Sequence, residues 1–440
     1  MSGHNNISSD KLRSVTIVFL TMLLCLVVRV ASLDFIPPNV TADEGDTLRT
    51  YLHLKQQPVS LLSLNWNGSS ALNTYLIGSL WTVGGESFES IKYASIVMSM
   101  GALLIFYLIV LKVSKNPLLT SLATAALSTN IAFLNFSRSG WENIFTSIPL
   151  LLLVYILHQK PFPLTFRDTA LFVAAMVASM YFYHPGKVLF VIAYIWFFVR
   201  LMWSRASLRH KLRDIAIISA ILCLWSVPII YSTLSPSTNG ISRISNVSVF
   251  NTDDPSQEFM HNVVVNSKAI FLWENNNLRY AAGGTVLSPL ILVLYLAAFA
   301  VSLVFNRKIL LFFLLNFLII QILSTRTPDV ARAVHLIPLI YYLITVTVVT
   351  LQEKMAQSGK AIRSMRRAFY VIVLVSFAFS TLYDMRQYIL FATNSETTES
   401  RRPAVKMVDY ANWLSLTKQN PLGLSLSQWE DLLEKQSSSF

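Results

Sequence analysis

Runs of about 20 apolar residues, the length a helix needs to cross the hydrocarbon of a bilayer, recur along nearly the whole chain. SVTIVFLTMLLCLVVRVASL near the start and VLSPLILVLYLAAFAVSLVF in the second half are two of them. Ordinary globular domains cannot bury that much apolar surface: of 440 residues, 54% are hydrophobic and only 13% are charged. The first run follows Lys11 and Arg13 without a small-residue cleavage site, so it reads as a retained first helix.

A net charge of +12 in a soluble chain would point to nucleic acid. Here the cations gather in short gaps between apolar runs, so they report orientation and imply no nucleic-acid partner. The gaps hold Lys112 and Lys115; Lys160 and Arg167; Arg200, Arg205, Arg209, Lys211 and Arg213; Arg307 and Lys308; and Lys354, Lys360, Arg363, Arg366 and Arg367. All are cytoplasmic if the N terminus is inside and about eleven helices span. These spans fall near residues 14–33, 90–112, 117–136, 143–158, 168–184, 186–203, 213–232, 286–305, 308–324, 332–351 and 368–389. ALNTYLIGSLWTV, residues 71–83, is too short to span and reads as a helix lying in the membrane interface.

The expected fold is therefore an all-α polytopic membrane protein with interfacial helices in its first outer loop. Residues 1–389 form the transmembrane domain and 390–440 a short non-cytoplasmic tail. The lipid bilayer is its surroundings: the cell (inner) membrane of a prokaryote or the endoplasmic reticulum membrane of a eukaryote. Cys25 and Cys223, the only cysteines, both lie in apolar runs and support neither a disulfide framework nor a thiolate metal site.

Chemistry is expected where polar groups concentrate on the outer side. Just after the first span come Asp34 and then Asp43, Glu44 and Asp46, a short acidic cluster in which an ionised oxygen can serve as a general base. Hard oxygens of this kind also bind divalent ions weakly, but no cofactor is called for. Ser137 to Asn143, SRSGWEN, turns between two spans and offers Arg138 and Glu142; Tyr181 to Lys187, YFYHPGK, offers Tyr183, His184 and Lys187. Arg243, Arg326 and Arg332 stand singly in outer segments, where the topology gives no reason for them and anion binding does. Within the spans themselves, Arg29 is the charged residue read as buried, with little else beside it.

The order of these features resembles the GT-C superfamily of membrane glycosyltransferases, in its protein O-mannosyltransferase and aminoarabinose-transferase branch. The resemblance runs through most of residues 14–352: the Asp43-Glu44 pair after the first helix, SRSGWEN, YFYHPGK, NGISRISNVSVF around Arg243, NLRYAAGG, and TPDVARAVHLIP around Arg332. It implies transfer of a sugar from a polyprenyl-phosphate donor to a hydroxyl of a glycan, lipid or protein acceptor on the non-cytoplasmic face. By position Asp43 is then the catalytic base, with Glu44 beside it. Arg138, Lys187, Arg243 and Arg332 hold the donor phosphate, and Glu142, Tyr183 and His184 orient the acceptor. The chain departs from the pattern in having Glu142 where this branch often carries an aspartate, and in lacking a large soluble C-terminal domain. O-antigen ligases and polymerases, and lipid or solute transporters, are the alternatives. The former concentrate candidate residues in late outer loops, and the latter show internal symmetry or charges within their spans.

Overall fold

The computed structural model describes residues 4–33, 42–65, 68–85, 89–235, 248–271, 285–323 and 330–393. The described residues are almost entirely helical. α1 is His4–Val30, α2 Ala42–Gln56, α3 Ala71–Val83, α4 Tyr93–Ser114, α5 Pro117–Thr129, α6 Ile131–Ser137, α7 Ser147–Val154 and α8 Phe166–Tyr181. There follow α9 His184–Met202, α10 Leu208–Leu234, α11 Pro255–Phe271, α12 Pro289–Ser302, α13 Arg307–Ile320, α14 Val330–Ala333, α15 Ile337–Gln357 and α16 Lys360–Ala392.

Local chemistry explains several helix starts. Asn116 accepts from the N–H of Leu119 with Pro117 in the first helical position, and Thr165 accepts from the N–H of Asp168. Each side chain satisfies a donor that the first turn leaves without an intrahelical partner. Asn130 does the same for Phe133 while its amide donates to the carbonyl of Val286 at 2.6 Å. At this residue the chain bends by 68°, so α5 and α6 form one broken apolar segment.

α15 is the central post: every residue from Ile337 to Val348 is buried. α4, α5, α12 and α16 pack around it. α1, α10 and α16 are peripheral, and they expose large apolar side chains such as Leu224, Tyr231 and Leu382, each at least 70% accessible. Such faces belong against lipid.

Among the described residues, five helical segments are long and apolar enough to cross a membrane, or up to seven if each bent pair counts as one span. This describes a multi-pass membrane protein, and it falls below the roughly 20-residue requirement at several expected positions. The run at 143–158 folds as a short 3-10 segment, the eight-residue α7 and a π turn, and α8 has 16 residues. α12 and α13 are bent by 118° relative to each other. Residues 71–83 form a helix, α3, too short to count as a span. Residues 394–440, most of the expected tail, lie outside the described residues.

The two ends of the bundle differ. At one end Lys112 and Lys160 both approach the Tyr155 ring, Arg200 donates to Leu157 O and Lys160 O, Lys160 pairs with Asp168 at 2.6 Å, and Lys354 lies over Phe305. Four of the basic gaps thus have members at this end. Arg29 is enclosed inside the bundle, bonded to Ser99 Oγ, Cys25 O and Ser128 Oγ. Where the sequence led us to expect little else charged inside the spans, Asp384 in α16 is 2% exposed, and its Oδ2 has no hydrogen-bond partner among the described residues.

Candidate active site

The other end of the bundle is built around the end of α1 and the start of α2. α1 runs out at Val30, leaving its last carbonyls without intrahelical donors. The Arg138 guanidinium supplies them: Nη1 donates to Val28 O at 2.6 Å, and Nη2 to Ala31 O at 2.8 Å and Ser32 O at 3.1 Å. Lys92, itself 2% exposed, donates to the next carbonyl, Leu33 O, at 2.9 Å. Two cations thus grip the partially negative end of α1 immediately before Asp34, where charge and dipole agree. The Arg138 guanidinium also lies 5.8 Å from the centre of the Tyr388 ring.

α2 begins one residue before Asp43. Glu44, 1% exposed, accepts the backbone N–H of Gly140 in the turn between α6 and α7. Gly140 is required by space: a Cβ there would lie 2.5 Å from Ile91 Cγ1 and 2.8 Å from Ile91 Cδ1. The acidic loop and the SRSGWEN turn, nearly 100 residues apart, are therefore one unit.

The third and fourth segments join the same end. Trp141 and Tyr183 meet edge to face at 5.8 Å, Tyr183 lies 5.7 Å from the His184 ring, and Asn73 donates to Phe182 O at 2.8 Å. Asn143 donates to Ala331 O at 3.2 Å, which sets the segment carrying Arg332 beside the turn that carries Glu142. Glu142 and Tyr183 are buried, while His184, Lys187 and Arg332 are half-buried. Near these contacts, Asn73 Oδ1, Asn143 Oδ1, Thr146 Oγ1 and Ser147 Oγ are buried without a hydrogen-bond partner among the described residues.

Of the residues expected from sequence, Glu44, Glu142, Tyr183 and His184 belong to segments that touch one another, as do those of Arg138 and Arg332. Lys187 lies a turn into α9 and lines a smaller hollow with Met180 and Ile229. The side chains of Asp43 and Asp46, and all of Asp34, Arg243 and Arg326, lie outside the described residues. Sequence reasoning missed Lys92, although it is a single cation at the start of an apolar helix, as Arg332 is. No group of three or more His, Cys, Asp or Glu able to hold a metal occurs among the described residues.

A groove of about 910 Å³ runs between α8 and α10. Ala170, Ala174 and Ala178, one helical turn apart, form one wall, and Ile217, Ile221 and Trp225 face them. Leu62, Leu72 and Tyr181 line its end near the Tyr181 to Lys187 turn, while Arg213 and Asp214 line the other end.

The fold resembles the GT-C fold. The chain superposes on ArnT from Cupriavidus metallidurans bound to undecaprenyl phosphate with a TM-score of 0.59, at 13% identity, covering 93% of this chain and 81% of that one. Against the apo state of the same protein the TM-score is 0.52, at 13% identity, with 87% and 77% covered. No family model and no curated protein matches the sequence.

Proposed function

We propose that this chain is a glycosyltransferase that moves a sugar from a polyprenyl-phosphate donor to an acceptor hydroxyl on the non-cytoplasmic face. The observation that carries this reading is the likeness in fold, over most of both chains, to a protein whose structure holds undecaprenyl phosphate. It is supported by the grouping of the SRSGWEN, YFYHPGK and VARAVHLIP segments around the start of α2. The groove between α8 and α10 is long and apolar, as a polyprenyl tail requires.

In the proposed reaction Asp43 takes the proton of the acceptor hydroxyl as that oxygen attacks the anomeric carbon. The bond from that carbon to the phosphate oxygen breaks, and polyprenyl phosphate leaves. Negative charge builds on the leaving oxygen, so cations placed there stabilise the transition state more than the ground state. We assign this task to Lys187, Arg243 and Arg332. Arg138, whose two terminal nitrogens serve carbonyls, we assign to holding the end of α1 and through it the acidic segment. Glu44 is tied to Gly140 and acts by positioning, which leaves the base to its neighbour. Glu142, Tyr183 and His184 line the acceptor side. The basic end of the bundle is cytoplasmic in this reading, and the apolar runs too short to count singly complete the expected set of about eleven crossings.

The test uses the purified protein in liposomes with a panel of radiolabelled polyprenyl-phosphate sugars, scoring loss of label from the donor. Asp43→Asn keeps the shape but removes the proton acceptor, and transfer should fall by roughly 100-fold or more with donor binding retained. If Asp43→Asn is active and Glu44→Gln is dead, the base moves by one residue. If both variants turn over every donor that the unaltered protein uses at its rate, the acidic segment has no catalytic part.

A further inference from the structure

At the end of the bundle opposite Glu44 and Arg138, a hollow of about 690 Å³ opens between the start of α5, the end of α15 and the first turns of α16. Arg363, Arg366, Arg367 and Tyr370 follow one another at the spacing of a single helix face, and all four line it. Asn116 and Gln352 stand on the other walls. Among the described residues, no acidic side chain lines the hollow and none of the three arginines forms an ion pair. The hydroxyl of Tyr370, on the same wall, is buried with no hydrogen-bond partner among the described residues.

Retention of cations on one side of a membrane explains positive charge in this gap, but it does not explain three guanidinium forks on one face of a hollow edged by amides and a phenol. Like charges three and four residues apart on one helix face disfavour each other, and an anion bound among them relieves that cost. A guanidinium presents paired donors that match phosphate oxygens, and amide and phenol donors complete the coordination. Ile362 and Met365, on the same turns of α16, are about half exposed or more, which gives the site an apolar flank where acyl chains can lie.

We propose that this hollow binds a phosphate-bearing anion through Arg363, Arg366 and Arg367. Its chemistry is shared by the headgroup of an anionic phospholipid and by free phosphate, and basic pockets between helices at this level of a membrane take such headgroups. The site is remote from the proposed transfer chemistry and does not depend on it.

The test uses the full chain in neutral detergent, with lipid adducts counted by native mass spectrometry and thermal protection measured in parallel. The probes are phosphatidylglycerol, phosphatidylcholine and inorganic phosphate. Phosphatidylglycerol should be retained over phosphatidylcholine, and its affinity should fall on the order of tenfold or more in the Arg363→Gln, Arg366→Gln, Arg367→Gln triple variant. A double variant of other exposed cations in a basic gap, Arg205→Gln with Arg209→Gln, should retain it. The corresponding triple Arg→Lys variant keeps the charge that orients the chain but loses the forks, and it should fall between. Protection by inorganic phosphate without lipid retention, abolished by the same triple variant, would name a soluble anion as the source. Equal retention by the unaltered chain and both triple variants, or equal loss in the Arg205 and Arg209 variant, would overturn the site.

Discussion

Glu44 and Gly140 are joined by a hydrogen bond from the backbone N–H of the glycine to the carboxylate of the glutamate, both groups buried, across 96 residues of chain. Glu44→Ala would leave that N–H without a partner in a water-poor site, at a cost of about 1–3 kcal/mol. Glu44→Gln keeps an acceptor oxygen in place and should cost less. Thermal unfolding of the two variants in detergent checks the order, and equal stabilities would show that the bond carries nothing.

Gly140→Ala should be destabilising by about 1–3 kcal/mol, because the new methyl meets the side chain of Ile91. Ile91→Ala removes the atoms in the way. The double variant should therefore recover more stability than the two single changes predict by addition, a coupling measurable in a double-mutant cycle.

Arg138→Lys keeps a positive charge but cannot reach Val28 O, Ala31 O and Ser32 O together. Transfer and thermal stability are expected to fall in parallel, with the apparent affinity for donor little changed. A selective loss of donor affinity at unchanged stability would return Arg138 to the phosphate.

Ala174→Phe narrows the groove between α8 and α10 midway along its length. Polyprenyl donors long enough to fill the groove should show a raised KM, while a donor with a chain of one or two isoprene units should not. Equal effects on long and short donors would mean that the tail lies elsewhere.

The membrane class was legible because hydropathy summed over a window is indifferent to detail. The same indifference hid the 68° break at Asn130, since a broken apolar run and a straight one have the same composition. Ser137 to Asn143, Tyr181 to Lys187 and the segment of Arg332 were recognisable as polar punctuation between apolar runs, and the structure brings them to one end. The partners were not recognisable. Arg138 meets Val28 and Glu44 meets Gly140 over separations that no local pattern records. Asp384 was missed although it falls inside the expected span 368–389, because the sequence does not show that packing against neighbouring helices encloses its carboxylate.

The groove between α8 and α10 is edged by exposed side chains, including Phe166 at 89% and Ile217 at 49% accessibility, so it is open at the surface of the bundle, where the proposed function puts lipid. A donor that enters by that door searches in two dimensions, and the concentration it responds to is a mole fraction of the bilayer. Adding inert phospholipid at fixed amounts of enzyme and donor should then slow turnover by surface dilution, although nothing in the bulk solution has changed.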